Sequence, residues 1–246
     1  MIKQYKISVP KSTLNDIYKR VREFPWNDAQ NMSGWEYGTN LNYLKSISKY
    51  WISKYNWKKF ENKINSFKNY KTKVEDINLH FIFEKSKNPN SRPLLLLHGW
   101  PGSISEFLNI IPRLAHPEKY GGKIEDGFDV IVPSLPGFGF SSQIKKALGP
   151  RKIGKILNKF MVKNLGYKNY FVQGGDWGAT IAGWIGLDSS KNCKGIHINC
   201  LPLRHPKGPK NSKEKKWEKK FNFDQIMQEG YRLSLIHISE PTRRST

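Results

Sequence analysis

Two spacings of apolar positions divide this chain. Through about residue 75 they recur every three to four residues, the repeat of a helix face. In "STLNDIYKRVREF", Leu14, Ile17, Tyr18 and Val21 fall on one side, with Ser12 placed to cap the start. "NLNYLKSISKYWISKYNW" repeats the pattern with Leu41, Leu44, Ile47, Tyr50, Trp51 and Tyr55. "WKKFENKINSF" follows with Phe60, Ile64 and Phe67. These aromatic stripes read as packing faces.

Beyond residue 75 the period changes. "INLHFIFEK" alternates like a strand, and "RPLLLLHGW" is a short apolar run ending in glycine, the mark of a buried strand and a turn. "SISEFLNIIPRLAH" has helical spacing but carries Pro112 in its interior. "FDVIVPSLPGFGFS" is a strand running into a Pro/Gly loop. "RKIGKILNKFMVKNLG" is a helix with Ile153, Ile156, Leu157, Phe160 and Val162 mostly on one side, closed by Gly166. "NYFVQGG", "WGATIAGWIGLD" and "KGIHINC" read as strand, helix and strand. This alternation predicts an α/β fold with a mostly parallel sheet and helices on both faces. In such sheets chemistry gathers where strands end. Three loops leave strand ends here: "HGWPGS", "SLPGFGFS" and "GGDWG".

Composition narrows the function classes. The chain has 246 residues, 8 tryptophans and 13% aromatic residues, which suits a packed core and not a disordered polymer. Its formal net charge of +22 attracts nucleic acid and anionic membrane surfaces without specificity. The lysines are scattered, however, and no zinc-ligand pattern or aromatic-basic nucleic-acid motif accompanies them. A specific nucleic-acid partner is not expected. Peripheral contact with an anionic membrane stays open, as does the oligomeric state. Cys193 and Cys200 are seven apart near a strand and point to opposite faces, so no disulfide is expected between them, and a reducing compartment fits. Neither a signal peptide nor a run of 18 apolar residues appears.

The informative stretch is "GGDWG". A strand, a turn between small residues and a helix form a nucleophile elbow, usually G-x-S-x-G. Gly174, Gly175 and Gly178 allow the tight turn and close strand–helix approach, and Asp176 occupies the nucleophile position. A carboxylate is already ionised at neutral pH and needs no base to attack carbon. The competing reading is that Asp176 merely caps the helix beginning at Trp177. In favour of chemistry are the glycine spacing, the preceding strand and the two companion loops.

Together "HGWPGS", "PSLPGFGFS" and "GGDWG" resemble the epoxide hydrolases of the α/β-hydrolase fold, in their microsomal and juvenile-hormone branch. "FPWNDA", the helical segments up to Phe67, "INLHFIFEKS" and "NCKGIHIN" extend the resemblance over roughly residues 1 to 232. It implies residues 1–75 as a helical N-terminal extension, 76–206 as the first part of the hydrolase core and 207–232 as the start of a helical lid. It further implies Asp176 as a nucleophile that forms an alkyl ester with a small apolar epoxide. Tyr231 would be a lid proton donor, and the N–H groups of Trp100 and Trp177 an oxyanion hole. His98, Gly99, Pro101, Gly175 and Gly178 would support these loops. No cofactor and no metal are implied. The branch is often tied to the endoplasmic reticulum by an N-terminal helix that this sequence does not display, so an intracellular site is expected, cytoplasmic or reticulum-associated.

In this fold the order is nucleophile, acid, histidine. Only 70 residues follow Asp176. His205 comes too early, and His237 and Glu240 lie in "SLIHISEPTRRS", which resembles a translated sequencing adapter joined near Arg232. Residues 233–246 are therefore expected to be foreign to the gene, the C-terminal part of the fold to be missing, and turnover to be deficient. His197, between Ile196 and Ile198, reads as a structural strand residue. Two alternatives stand: a haloalkane dehalogenase-like hydrolase, which uses the same elbow, and a non-catalytic basic binding protein.

Overall fold

The computed structural model describes residues 1–26, 35, 38–200, 211–213 and 215–216. They belong to two compact units, one of residues 1–8 and 57–203, the other of 9–56 and 204–246.

The first unit is a seven-stranded sheet in the order β1-β2-β3-β5-β4-β6-β7. The strands are β1 (Lys3–Gln4), β2 (Asn69–Val74), β3 (Ile77–Glu84), β4 (Arg92–Leu97), β5 (Phe128–Pro133), β6 (Tyr170–Gly174) and β7 (Cys193–Ile198). From β5 through β4 and β6 to β7 the pairings are parallel, and β3 joins β5 antiparallel. The parallel centre follows from side-chain chemistry. Leu95, Leu96 and Leu97 of β4 are all buried, as a strand covered on both faces requires. Helices α5 (Pro150–Lys159) and α6 (Trp177–Asp188) pack on each other, and α6 also packs on β4, β6 and β7. Ile153, Ile156, Leu157, Ile181 and Ile185 meet Leu95, Leu97 and Ile131 in one core. Arg151 of α5 clasps Asp188 of α6 with two hydrogen bonds at 2.7 and 2.8 Å.

Five expectations need correction. The sheet begins inside the stretch expected to be wholly helical, because β1 and β2 pair there. In "NYKTKV", Tyr70 packs on Phe81, and Thr72 and Val74 are buried, so the alternation was present under the lysines. Pro112 does not interrupt a helix. The segment divides into a 3₁₀ turn at Ile104–Phe107 and a short α4 (Ile111–Ala115), which puts Pro112 in the first turn, where its missing N–H is harmless. The helix "RKIGKILNKFMVKNLG" widens into a π turn at Phe160–Asn164 before Gly166 takes a left-handed φ of 80°. α3 (Trp57–Asn65) precedes β2 and buries Ile64.

In the second unit, α1 (Lys11–Arg22) starts after Pro10, and Ser12 lies within its first turn instead of capping it. Proline at that boundary fixes φ and ends the preceding extended segment. The start of α2 (Leu41–Ser53) is capped by Asn40, whose side chain accepts from the Tyr43 N–H at 3.1 Å. The stripe of α2 is not the packing face expected. Leu41 is buried, but Leu44, Ile47, Tyr50 and Trp51 are exposed, and among the described residues of this unit α2 packs on α1. Among the described residues no helix is long and apolar enough to cross a membrane.

Candidate active site

β6 ends at Gly174, and two residues later the chain turns into α6. Asp176 sits at the turn with φ 50° and ψ −124°, one of two non-glycine residues with positive φ among those described. Such a conformation costs a bulky L-residue on the order of 1–3 kcal/mol. Its carboxylate makes no capping bond to α6. The helix start is closed instead by main chain, with the N–H groups of Ala179 and Thr180 donating to the Asp176 carbonyl at 3.1 and 3.3 Å. The side chain faces the other way and accepts from the Trp100 N–H at 2.7 Å. Capping, the competing reading of the sequence, is thus not what the carboxylate does. α6 still directs the positive end of its dipole at the turn.

Trp100 lies in the loop after β4. His98 is fully buried there, and Gly99 stands directly against Asp176. A Cβ on Gly99 would fall 2.4 Å from both Cβ and Oδ1 of Asp176, closer than carbon atoms can approach. Gly178 has the same role on the other side. Its Cβ would meet the Leu97 carbonyl oxygen at 2.1 Å, so the first turn of α6 rests directly on the backbone of β4. Gly175 precedes Asp176 with the Asn199 side chain against it. The Trp100–Pro101 peptide is cis. The loop closes with Ser103 and Glu106 in a reciprocal capping box. Trp177 opens α6, and its N–H is among those a helix leaves without an internal partner.

The two nitrogens of His98 are both engaged. Nδ1 faces the Gly99 carbonyl at 3.0 Å and must donate to it. Nε2 lies 3.0 Å from the Leu135 N–H and must accept. That assigns a neutral ring with the proton on Nδ1. Burial holds its pKa below the ordinary histidine value, partly countered by the Gly99 hydrogen bond and the charge of Glu106. His98 therefore supports the loop and has no lone pair left for proton transfer.

The described residues bring together Asp176, Trp100, Trp177, His98, Gly99, Pro101, Gly175 and Gly178. Tyr231 lies outside them, as do His205, His237 and Glu240. His197 is on β7, exposed. Sequence reading missed His80, buried beside the loop after β5. The signal available was a histidine at an inward position of an otherwise apolar strand.

Comparison with known proteins gives the geometry its relatives. Residues 2–107 match the family model described as epoxide hydrolase N terminus, and residues 92–239 the model of the alpha/beta hydrolase fold. Epoxide hydrolase 1 of Oryctolagus cuniculus is 38% identical over 210 residues, covering 83% of this chain and 46% of that protein. Among solved structures, juvenile hormone epoxide hydrolase from the silkworm Bombyx mori superposes with a TM-score of 0.70 at 34% identity, over 81% of this chain and 53% of that one. The epoxide hydrolase of Aspergillus niger gives 0.77 at 28% identity, over 99% and 64%. The chain spans about half the length of the curated relatives it matches. With an epoxide hydrolase N terminus running into the core of an α/β-hydrolase, and an aspartate at the elbow of that core, the chain belongs to the epoxide hydrolase family of the α/β-hydrolase fold.

Proposed function

We propose that this chain carries out the ester-forming half of epoxide hydrolysis, with Asp176 as the nucleophile. The observation that supports the reading is the direction of its carboxylate, held in a strained turn, spared from capping α6, and accepting from the Trp100 N–H at 2.7 Å. One carboxylate oxygen attacks an epoxide carbon, and the C–O bond of the ring breaks as the ester bond forms. The ring oxygen, carrying the released electron pair, takes a proton from an acid. Tyr231 is assigned that part on the resemblance alone.

Hydrolysis of the ester needs water to add to its carbonyl carbon while a base removes the water's proton. The Trp100 and Trp177 N–H groups would then stabilise the resulting oxyanion, and collapse would release a vicinal diol and restore Asp176. His98 cannot be that base, since its Nε2 lone pair is occupied by the Leu135 N–H. Among the described residues no histidine hydrogen-bonds Asp176. The 246-residue chain is expected to accumulate the ester, because the resemblance matches none of its histidines to that base. The substrate class is a small epoxide on an apolar skeleton, xenobiotic or terpenoid.

Intact-mass measurement after incubation with an aryl epoxide tests this. One equivalent of adduct is expected, mapped by peptide sequencing to Asp176 and absent from Asp176→Ala. Adduct on cysteine or lysine only, unchanged in that variant, would sink the assignment. Steady diol release would retain the nucleophile and overturn the claim of arrested turnover.

A further inference from the structure

The segment Ser134–Ser142 leaves the carboxyl end of β5 and borders the site, and two imidazoles grip its first two residues. Leu135 gives its N–H to His98. Ser134 is held by His80, on the neighbouring strand β3. The Ser134 N–H donates to the His80 carbonyl at 2.9 Å, and the Ser134 hydroxyl lies 2.9 Å from His80 Nδ1. Ser141 closes the segment back onto the same residues, accepting from the His80 N–H at 3.0 Å and donating to the Ser134 carbonyl at 2.7 Å.

The far side of the ring fixes its protonation. His80 Nε2 is 3.1 Å from Asn69 Oδ1. The amide nitrogen of Asn69 already donates to the carbonyls of Ile64 and Phe67 at 2.9 and 2.8 Å, so the orientation of that amide is set and its oxygen can only accept. Nε2 must therefore carry the proton, and Nδ1 must accept from the Ser134 hydroxyl. Tyr5 and Phe140 stand edge-on to the ring at 5.7 and 5.3 Å and keep water away. His80 is fully buried, and burial together with the charge of Lys71 lowers its pKa to about 3, so it stays neutral at working pH.

We propose that His80 is a positioning residue for the proposed ester-forming step. It anchors Ser134, so that Leu135 is presented to His98 and His98 in turn holds the Gly99–Trp100 peptide whose N–H meets Asp176. The contacts form one sequence from Asn69 through His80, Ser134, Leu135, His98 and Gly99 to Trp100. The inference rests on Asp176 being the nucleophile, but the state of the Trp100 N–H can be read without any reaction.

The full chain is compared as parent, His80→Phe, His80→Gln and Ser134→Ala. The first readout is the Trp100 amide proton in heteronuclear NMR, together with its exchange rate relative to global unfolding. His80→Phe keeps the ring volume and removes both hydrogen bonds. It is expected to displace the Trp100 signal and speed its exchange roughly tenfold beyond any change in global stability. His80→Gln keeps one donor and one acceptor, and should return the signal most of the way. Ser134→Ala, which removes one hydroxyl and spares the fold, should move it in the same direction as His80→Phe.

The second readout is ester formation. His80→Phe should slow it roughly tenfold at saturating epoxide, with the half-saturating concentration within about twofold of the parent, because the nucleophile's setting changes and the substrate's binding does not. A Trp100 signal unmoved in all three variants overturns the proposal. So does ester formation that falls only in proportion to the folded fraction. If the parent forms no ester, the assigned activity has failed, and the Trp100 amide alone decides whether His80 positions the loop.

Discussion

Two aspartates stand at opposite ends of the parallel sheet, on the strands that flank β4, and they are treated differently. Asp129 lies near the start of β5 with 3% exposure. Its Oδ1 accepts from the Ser86 N–H at 3.0 Å and the Ser91 hydroxyl at 2.8 Å, and its Oδ2 accepts from the Tyr167 hydroxyl at 2.6 Å. Asp176, past the end of β6, is exposed, accepts from one N–H and sits in a strained turn. At Asp129 the donors saturate the carboxylate, which becomes a bolt between three segments. Burial and that hydrogen bond push the Tyr167 phenol well above its ordinary pKa, so it remains a donor. At Asp176 the described residues supply one donor. Three donors meet Asp129, one main-chain N–H and two hydroxyls, whereas among the described residues a single main-chain N–H meets Asp176.

That contrast can be broken at either end. The largest effect is expected at the saturated one. Asp129→Ala removes the shared acceptor of a main-chain N–H and two hydroxyls, and should lower unfolding free energy by about 3 kcal/mol. Ester formation per folded molecule should be unchanged. Denaturant titration with parallel adduct counting checks both, and a lost adduct in the folded fraction would contradict the separation of roles. Gly99→Ala probes the other end. A methyl group 2.4 Å from the Asp176 side chain must push the carboxylate off the Trp100 N–H. Ester formation should fall by about 100-fold, the scale of a misplacement near 1 Å, and adduct kinetics near the parent rate would show that the loop yields easily.

Smaller effects sharpen the picture. His80 titrates at about 3 in the folded chain against an ordinary 6.5. Its contribution is whole above pH 6.5, and it declines as pH falls from there toward 3, because only the unfolded chain takes up the proton. The slope is up to about 1.4 kcal/mol per pH unit, and His98 adds in the same direction. Unfolding curves between pH 7 and pH 5 should show this loss, and His80→Gln should flatten it. The smallest effect belongs to the strained turn. Asp176→Gly relieves a positive φ and should raise the midpoint of thermal unfolding slightly, by about 1 kcal/mol or less in free energy, while abolishing the adduct. A lower midpoint would mean the carboxylate holds the elbow together.

Much of this was legible in the sequence, for definite reasons. β4 announces itself because a buried parallel strand needs an unbroken apolar run, here "PLLLL", and β3 because "INLHFIFEK" alternates. The elbow is visible because close backbone approach can be met only by glycine, at Gly174 and Gly178. Other features were hidden by their nature. β2 carries Lys71 and Lys73 between its inward residues, and the charge masked the alternation. Whether the Asp176 side chain caps α6 turned on one dihedral pair and on an amide 76 positions away. His80 looked ordinary because Asn69 and Ser134, the residues that define it, are brought to it only by sheet register. The stripe on α2 shows the converse, since a strong period states which residues could be buried, yet Leu44, Ile47, Tyr50 and Trp51 are exposed.

The contact of Gly178 with the carbonyl of Leu97 has a bearing on how the site would tolerate change. The spacing between the elbow and the loop that donates to it is set where peptide meets peptide, with no side chain interposed. Random substitution of the surrounding core would shift packing and stability while leaving that spacing nearly untouched. A mutational library scored for adduct formation should therefore yield a sharply two-toned map, intolerant at a few glycines and permissive across the large apolar residues that enclose them.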